Sequence, residues 1–272
     1  TGQGGLWGDA IEVDCGESSQ FATAILLGAP MASRSAAIKI VGLEGSSGYL
    51  EVTEDVMEAF GANPVRTFTG YDVANSGYLP ADYVVERDAS AAVYPIVAAA
   101  ISRGRVSIPG LSLASKQPDI AIALHLREMG CVVHDEDGVV VDATDVTLEA
   151  IDVDLSGSPD GALALAVACL FATGESRLRG LFSLRHKESD RLRAMSEELV
   201  RLGGDVSVES EGLIIRPGPL HGATINSHGD HRVAMSLALI GTMVEGVAVG
   251  TPSVVNKTWP GFWDQLQSWS AH

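Results

Sequence analysis

The residues of this chain best suited to chemistry on an anion are Lys187, Glu188 and Arg191, which fall within five positions. Apolar residues recur at helical spacing through residues 184–203, and Gly203 suits a helix end, so we predict an amphipathic helix over this stretch. On that helix Lys187 and Arg191 would share a face, with Glu188 beside it. Two cations in a first turn oppose the helix dipole unless negative charge offsets them. The stretch is therefore either a solvated, salt-bridged helix start or one wall of an anion-binding site.

The charge balance favours a small anionic ligand over a polyanion. The 272 residues carry 35 acidic and 18 basic side chains, a net charge of −17, which argues against a nucleic-acid or anionic-membrane surface. Seven of the 18 basic residues nevertheless lie within residues 177–201, where even placement would give about two. We infer that these cations act locally, on a small anion.

The cysteines give no sign of a disulfide, metal site or cofactor. Cys15, Cys131 and Cys169 are isolated and show no metal-ligand spacing, so we expect three buried, reduced thiols in a cytoplasmic protein. No signal peptide is recognisable, and the apolar runs are too short to span a bilayer. Because the sequence starts with Thr1 rather than Met, we expect it to be processed, renumbered or a fragment.

A repeat of about 70 residues organises the chain. Four similar segments start at Ser18, Asp88, Pro159 and Asp230, at separations of 70, 71 and 71 residues. Each leads from a polar cluster into an apolar helix and a short strand, and a second helix follows. Three of these second helices lead into strand-like tails, in which Asp-Gly or Glu-Gly signals a hairpin turn. We predict helix–strand–helix–strand–strand units, with the first helices buried and the second outside. The second helices are expected at 49–62, 119–130, 188–204 and 262–269.

The start of each first helix can bind an anion through side chains and backbone N–H groups. Ser18, Ser19 and Gln20 form a phosphate-type start, although simple N-capping by the serines explains them equally well. For Asp160 and Asp230, capping is the stronger interpretation.

Four stretches of the chain match one protein family in motif and order. They are ESSQFATAILLGAP, LRHKESDRLRAM, SHGDHRVAMSLAL and NKTWPGFWDQL, and together they resemble the 5-enolpyruvylshikimate-3-phosphate synthase family from about Cys15 to Gln265. The resemblance implies an α/β fold of repeated βαβαββ units, the inside-out α/β barrel of the enolpyruvyl transferases, with one domain partial. It implies that 1–86 is the last repeat unit of the substrate-binding domain. It also implies that 87–272 forms a second domain of three repeat units whose final strands are missing.

The resemblance also implies an activity and a set of site residues. The family transfers the enolpyruvyl group of phosphoenolpyruvate to the 5-hydroxyl of shikimate 3-phosphate and releases phosphate, a step in aromatic amino acid biosynthesis. By this likeness Asp160 accepts the hydroxyl proton, Lys187 contacts the shikimate side, and Glu188 exchanges a proton with the methylene carbon. The substrate-binding residues implied are Ser18, Ser19, Gln20, Ser46 and Tyr49 for shikimate 3-phosphate, and Arg191, His231, Arg232 and Lys257 for phosphoenolpyruvate. Ser183 is implied as a further substrate-binding residue.

The residue types suit these roles. Arg191 and Arg232 offer planar forks for a carboxylate or phosphate, which Lys cannot reproduce. Glu188 is a positioned acid, but its cationic neighbours would lower its pKa, so we expect desolvation to oppose them.

Several positions depart from the family pattern. Ser47 and Gly48 replace a basic residue and a Pro, Glu17 precedes the serine pair, Ser183 stands where Asn is common, and Arg87 replaces a frequent Gly. The family's N-terminal substrate-binding motifs are absent from this sequence, which corresponds to the C-terminal two-thirds. We therefore expect negligible turnover by this chain alone, and either self-association through incomplete domain edges or a loosely packed first domain.

Three other functions stay open at this stage. UDP-N-acetylglucosamine enolpyruvyl transferase shares the fold, although the KESDR motif favours the shikimate branch. A non-catalytic half-site or assembly module would keep one face of the cleft and pair with another chain. The RNA 3′-phosphate cyclase relatives are disfavoured by the charge of −17 and by the absence of a nucleotide-binding motif.

Overall fold

The computed structural model describes residues 9–43 and 48–269. The chain divides into two compact units, Thr1–Val85 with Lys116–Pro118 and Glu86–Ser115 with Asp119–His272. That these units are the two domains implied by the family resemblance stays a prediction. Among the described helices, none combines the length and apolar character that a membrane span requires.

The first unit is one repeat, in which two helices pack on a four-stranded sheet. Its elements are β1 (Asp9–Asp14), α1 (Gln20–Gly28), β2 (Ala36–Val41), α2 (Gly48–Ala59), β3 (Val65–Arg66) and β4 (Gly70–Val73). The strand order is β1-β2-β4-β3, in which β1 and β2 are parallel and the other pairs are antiparallel. A separate apolar core, which includes Leu26, Ile38 and Met57, holds this unit together.

The second unit contains the other three repeats. The second and third repeats consist of α3 (Ala89–Ile101), β5 (Arg105–Pro109), α4 (Ala121–Glu128), β6 (Val132–Asp135), β7 (Gly138–Asp142), β8 (Asp152–Asp154), α5 (Ala162–Leu170), β9 (Ser176–Arg179), α6 (Arg191–Arg201), β10 (Asp205–Glu209) and β11 (Gly212–Arg216). The fourth consists of β12 (Thr224–Ile225), α7 (His231–Ala238), β13 (Ala248–Val249) and α8 (Phe262–Trp269). The sheets have the orders β5-β7-β6, β8-β9-β11-β10 and β12-β13.

The predicted order of elements is confirmed in every repeat. A strand also precedes the first helix in the first, third and fourth repeats and pairs in parallel with the next strand. This completes the βαβαββ pattern in the first and third repeats, whereas the described part of the fourth ends after its second helix, as βαβα. The strand pairs β6–β7 and β10–β11 are antiparallel hairpins that turn at the Asp-Gly and Glu-Gly signals. The repeat seen in the sequence is therefore also a repeat of the structure.

The first helices of the second unit are buried, as predicted, because they pack against one another. Every residue of α5 is buried, and α5 lies between α3 and α7. For α1 the prediction was wrong, since only Ala22 and Leu26 are buried and Phe21 is 50% exposed. Within its unit α1 packs on α2 and β1, so its outer face has no neighbouring repeat of that unit to cover it.

The helix predicted over residues 184–203 starts later than its charge pattern suggested. Phe182–His186 is a 3-10 helix, Lys187 has extended backbone, and α6 begins at Arg191. The Asp190 side chain caps α6 by accepting the Arg193 N–H at 3.1 Å. Lys187 and Glu188 therefore precede the helix, and the prediction that Lys187 and Arg191 share a helical face was wrong. The predicted stop is confirmed, because Gly203 follows α6 with a left-handed φ of +95°.

The cysteines agree with the sequence expectation, since all three are buried free thiols. Burial raises the pKa of Cys131 to about 11 and that of Cys169 to about 12. At neutral pH they are therefore unreactive thiols of the core.

Candidate anion-binding site

Three helix starts of the second unit meet at the buried guanidinium of Arg191. Arg191 is the first residue of α6 and is 1% exposed. Its Nε donates to Asp230 Oδ2, its Nη1 to Asp160 Oδ1 and its Nη2 to Glu188 Oε2, each at 2.8 Å. Asp160 lies just before α5, and Asp230 caps α7. We call Asp160, Glu188, Arg191 and Asp230 the Arg191 cluster.

Asp230 is the member of this cluster that sequence reasoning treated only as a cap. It does cap α7, because its Oδ1 accepts the Arg232 N–H at 2.9 Å. It is also fully buried, and besides Arg191 it accepts a hydrogen bond from Ser189 Oγ at 3.1 Å. The sequence signal was a plain helix cap, and nothing in it indicated that the same carboxylate would hold an arginine 39 residues away.

Glu188 is held between two cations. Lys257, at the end of the 3-10 helix Pro252–Lys257, donates from Nζ to Glu188 Oε1, while Arg191 takes the other carboxylate oxygen. Partial burial raises the pKa of Glu188, but the Lys257 hydrogen bond and the positive charges of Arg191 and Lys257 outweigh it and lower the pKa to about 2. Without a ligand, Glu188 is therefore a carboxylate at neutral pH. The expectation that its neighbours lower its pKa against desolvation is confirmed.

Asp160 lies between two guanidinium groups. Its Oδ2 is 3.4 Å from Arg232 Nη2, and its Oδ1 accepts from Arg191. Burial raises the pKa of Asp160, but the charges of Arg232, Arg191 and Lys187 together hold that pKa below its usual value. Asp160 is thus also ionised, and Lys187 is close enough to act on it electrostatically.

His231 and Arg232 open α7 beside the cluster. His231 is buried, its Nδ1 lies 3.8 Å from Asp230 Oδ1, and no described group hydrogen-bonds that nitrogen. Burial lowers the pKa of His231, which favours the neutral ring. The Arg232 side chain is 16% exposed and also interacts with the buried Tyr94 hydroxyl.

The remaining site residues of the second unit lie upstream of α6. Ser183 is half-buried in the 3-10 helix Phe182–His186, and Lys187 is the residue directly after that helix. The structure thus brings Asp160, Glu188, Arg191, Arg232 and Lys257 into direct contact, whereas Ser183 makes no direct contact with them among the described hydrogen bonds and ion pairs. The contacts form a chain of alternating charge in which donors and acceptors are matched.

The predicted residues of the first unit form a separate group. Ser18 Oγ accepts the N–H of Gln20 at 3.2 Å, the first residue of α1, whereas the buried Ser19 makes no side-chain cap. Tyr49 is in the first turn of α2, and its carbonyl accepts from Thr53 Oγ1 at 2.8 Å. Ser46 lies outside the described residues. Capping therefore accounts for Ser18 and leaves the Ser19 hydroxyl without a capping role.

Comparison with known proteins places the whole chain in one family. The sequence model for EPSP synthase (3-phosphoshikimate 1-carboxyvinyltransferase) matches residues 2–266. The 3-phosphoshikimate 1-carboxyvinyltransferase of Methanoculleus marisnigri is 39% identical over 268 residues, and that of Aliivibrio fischeri is 38% identical over 270 residues. These matches cover 97% and 98% of this chain and 63% of each relative. The chain thus spans less than two-thirds of the length of the curated relatives that it matches.

Solved structures agree with this assignment. EPSP synthase from Acinetobacter baumannii superposes with a TM-score of 0.81 at 26% identity, over 98% of this chain and 63% of that one. The enolpyruvyl transferase NikO from Streptomyces tendae, at 17% identity and a TM-score of 0.73, shares the fold over 100% of this chain and 66% of its own. The fold class and the family resemblance inferred from sequence are both confirmed. With its βαβαββ repeats, its motifs and these matches, the chain belongs to the EPSP synthase family of transferases.

Proposed function

We propose that the protein transfers the enolpyruvyl group of phosphoenolpyruvate to the 5-hydroxyl of shikimate 3-phosphate and releases phosphate. The observation that carries the proposal is the Arg191 cluster flanked by Lys257 and Arg232. It occurs in a chain that is 39% identical to a relative named 3-phosphoshikimate 1-carboxyvinyltransferase. Because the chain spans 63% of that relative, the activity is proposed for the protein to which these residues belong.

The second unit supplies cations suited to phosphoenolpyruvate, which carries a carboxylate and a phosphate. The Lys257 side chain is 56% exposed, and Arg232 offers a planar fork for bidentate contacts. The neutral His231 stands beside Arg232 at the start of α7, where backbone N–H groups add positive potential. In the proposal these residues and Arg191 hold the two anionic groups.

Binding of that anion would change the ionisation of Glu188. Lys257 and Arg191 are its present partners, and an anionic ligand competes for both. A carboxylate that loses its cations and gains a negative neighbour has a higher pKa. Glu188 can then take up a proton and act as an acid, which its pKa of about 2 prevents in the unliganded chain.

The proposed reaction is an addition followed by an elimination. The 5-hydroxyl oxygen bonds to the central carbon of phosphoenolpyruvate, its proton passes to Asp160, and Glu188 gives a proton to the methylene carbon. The bond from the central carbon to the phosphate oxygen then breaks, Glu188 takes a proton back from the resulting methyl group, and the double bond is restored. Phosphate leaves with the electron pair of the broken bond and takes up the proton held by Asp160. Asp160 is then a carboxylate again, so atoms and charges balance.

The residues of the first unit proposed to hold shikimate 3-phosphate are Ser18, Ser19, Gln20, Tyr49 and Ser46. Within the second unit, Lys187 and Ser183 are proposed as further substrate contacts. The N-terminus of α1 supports this assignment, because the Ser19 hydroxyl is not used as a cap.

Isothermal titration calorimetry of the 272-residue chain with each substrate tests the proposal. We expect Lys257→Met to weaken phosphoenolpyruvate binding by about 10- to 100-fold, since a hydrogen bond to a charged group contributes about 1.5–3 kcal/mol. Lys116→Met is the matched control, because Lys116 is a surface lysine of the first unit that pairs with Asp55. Equal affinity in the Lys257 and Lys116 variants, or no binding of either substrate at millimolar concentration, would refute the proposal and favour a non-catalytic assembly module.

Turnover is measured separately from binding. Phosphate release from a mixture of both substrates is expected to stay below about a thousandth of a median enzyme turnover of ~10 per second for this chain. Faster release would show that the described residues suffice for catalysis.

We also propose a cytoplasmic location. The three buried free thiols suit a reducing compartment. Fractionation of cells that express a tagged chain tests this, and recovery with extracytoplasmic markers would contradict it.

A further inference from the structure

Asp119 carries a buried carboxyl group that has no role in the proposed reaction and lies outside the Arg191 cluster. It lies just before α4 and is 1% exposed. Its Oδ1 accepts the backbone N–H of Gly161 at 3.1 Å, and its Oδ2 accepts the hydroxyl hydrogen of Ser90, near the start of α3. One side chain thus joins the beginnings of three helices.

The hydrogen bond from the Gly161 N–H to Asp119 also restrains Asp160, because this N–H belongs to the peptide that links Asp160 to Gly161. A Cβ on Gly161 would lie 2.5 Å from Ile122 Cγ1 and 3.2 Å from Asp119 Oδ1, so α4 and the start of α5 are in close contact there. The backbone at Gly161 is therefore held both by close packing against Ile122 and by the hydrogen bond to Asp119. From this peptide the Asp160 carboxylate reaches Arg191 and Arg232.

Keeping a carboxyl at this place is costly, which argues for a role beyond packing. Burial raises the pKa of Asp119, and the nearby Asp160 raises it further, while Ser90, Arg232 and the Gly161 N–H act in the opposite direction. A neutral apolar residue would avoid these costs but would leave the Gly161 N–H without an acceptor.

We propose that Asp119 is a positioning residue for Asp160. By accepting the Gly161 N–H, Asp119 fixes the backbone next to Asp160 and so keeps the Asp160 carboxylate between the two guanidinium groups. The proposal deepens, and rests on, the proposed role of Asp160 as proton acceptor. Its consequence is that loss of the acceptor at residue 119 loosens the contacts of Asp160 with Arg191 and Arg232.

Titration of the Asp160 carboxyl carbon by NMR, in the unliganded chain labelled with ¹³C-aspartate, tests this positioning role. Asp119→Ala removes the acceptor, so we expect the Asp160 midpoint to rise by at least about half a pH unit towards the usual ~3.9. Asp119→Asn keeps an oxygen acceptor for Gly161, and we expect it to restore the low midpoint. A purely structural role would destabilise the Asp119→Ala variant without moving the Asp160 titration.

Two further measurements keep the test decisive. Asp88→Ala removes the cap of α3, a bond to the Ala91 N–H at 3.1 Å, and so supplies a destabilised control whose Asp160 midpoint is expected to match the wild type. In the wild-type chain the Gly161 amide proton should shift with the titration of Asp119, which needs no variant to fold. An Asp160 midpoint equal in the wild-type chain and the Asp119→Ala variant, or a Gly161 amide that follows no titration of Asp119, overturns the proposal. Because no substrate is present, this outcome is independent of whether the proposed reaction is correct.

Discussion

Arg191 organises the site because a guanidinium presents its donors in one plane, towards three different acceptors. Asp160, Glu188 and Asp230 come from three separate parts of the chain, and together they accept hydrogen bonds from all three guanidinium nitrogens of this residue. A buried ion pair of this kind adds little net stability over an apolar replacement of all its members, but removal of one member leaves the others buried and unpaired. The cluster therefore makes the helix starts mutually dependent.

Replacing Arg191 with methionine is expected to destabilise the chain strongly. Asp230 has 0% exposure, so its carboxylate would stay buried without its cation. We expect the free energy of unfolding to fall by about 3–5 kcal/mol, measured by urea denaturation followed by circular dichroism. The control is Arg193→Met in the same helix, where the side chain is 74% exposed and pairs with Glu197; its midpoint should stay close to that of the wild type. Equal losses in the two variants would show that Arg191 is not a special partner.

The low pKa of Glu188 makes part of the stability depend on pH. A carboxyl whose folded pKa of about 2 lies below its unfolded value near ~4.3 stabilises the fold above the unfolded pKa, and that contribution is lost as pH falls towards 2. We therefore expect the wild type to melt at a higher temperature than Glu188→Gln at pH 6, with the difference shrinking by pH 3. The same difference should be smaller at pH 6 in a Lys257→Met background, because one of the two cations is then absent. A wild-type advantage that stays constant between pH 6 and pH 3 would contradict this.

At the scale of elements, α6 shows which features the sequence predicts and which it does not. The apolar spacing of Leu192, Met195 and Leu199 predicted the helix and its buried face correctly, because both follow from local geometry. The start at Arg191 was missed because it depends on which side chain caps the helix. Asp190 accepts the Arg193 N–H, and the residue pattern alone does not show that Asp190, rather than an earlier residue, is the cap. Likewise, the pairing of Arg191 with Asp230 depends on how two repeats pack, which no spacing within either repeat encodes.

A recurrent glycine marks one strand of three repeats. Gly70, Gly138 and Gly212 begin β4, β7 and β11, each of which pairs with the strand that follows the first helix of its repeat. A Cβ on any of the three would lie 2.0–2.3 Å from a carbonyl oxygen of the neighbouring strand. The backbones thus approach more closely than any side chain allows, and the two strands come together at the same point in each repeat.

Gly138→Ala is expected to destabilise the second unit. The added methyl group would overlap Ile108 O at 2.3 Å, and φ at this residue is +145°, so the strand would have to shift and the free energy of unfolding should fall by at least about 1–3 kcal/mol. Urea denaturation of the variant measures the loss. Gly157→Ala is the matched control, because a Cβ there has no neighbour within 4 Å, and its midpoint should match or exceed that of the wild type. A Gly138 variant as stable as the Gly157 variant would show that β5 and β7 can separate without cost.

At the scale of the whole molecule, the two units differ in the core that supports each of them. The core cluster of the second unit extends through all three of its repeats, with α3, α5 and α7 packed together, whereas the described core of the first unit comes from one repeat. A smaller unit buries a smaller fraction of its surface and is less stable. The exposed apolar side chains of α1, among them Phe21 and Leu27, are consistent with this difference.

We therefore expect backbone amides of α1 to exchange with solvent faster than those of α5, because opening of the smaller core exposes them more often. Leu26 and Leu165 are both 0% exposed, one in each core, so they offer a matched pair of truncations. Leu26→Ala leaves a cavity that costs about 2–5 kcal/mol and should accelerate exchange in α1 and α2, with little change in α5. Leu165→Ala should do the reverse. Hydrogen exchange followed by mass spectrometry measures these helices in one experiment. Protection of α1 equal to that of α5 would mean that the first unit draws stability from contacts beyond its own core, and the self-association expected from the sequence would then be the first explanation to examine by light scattering.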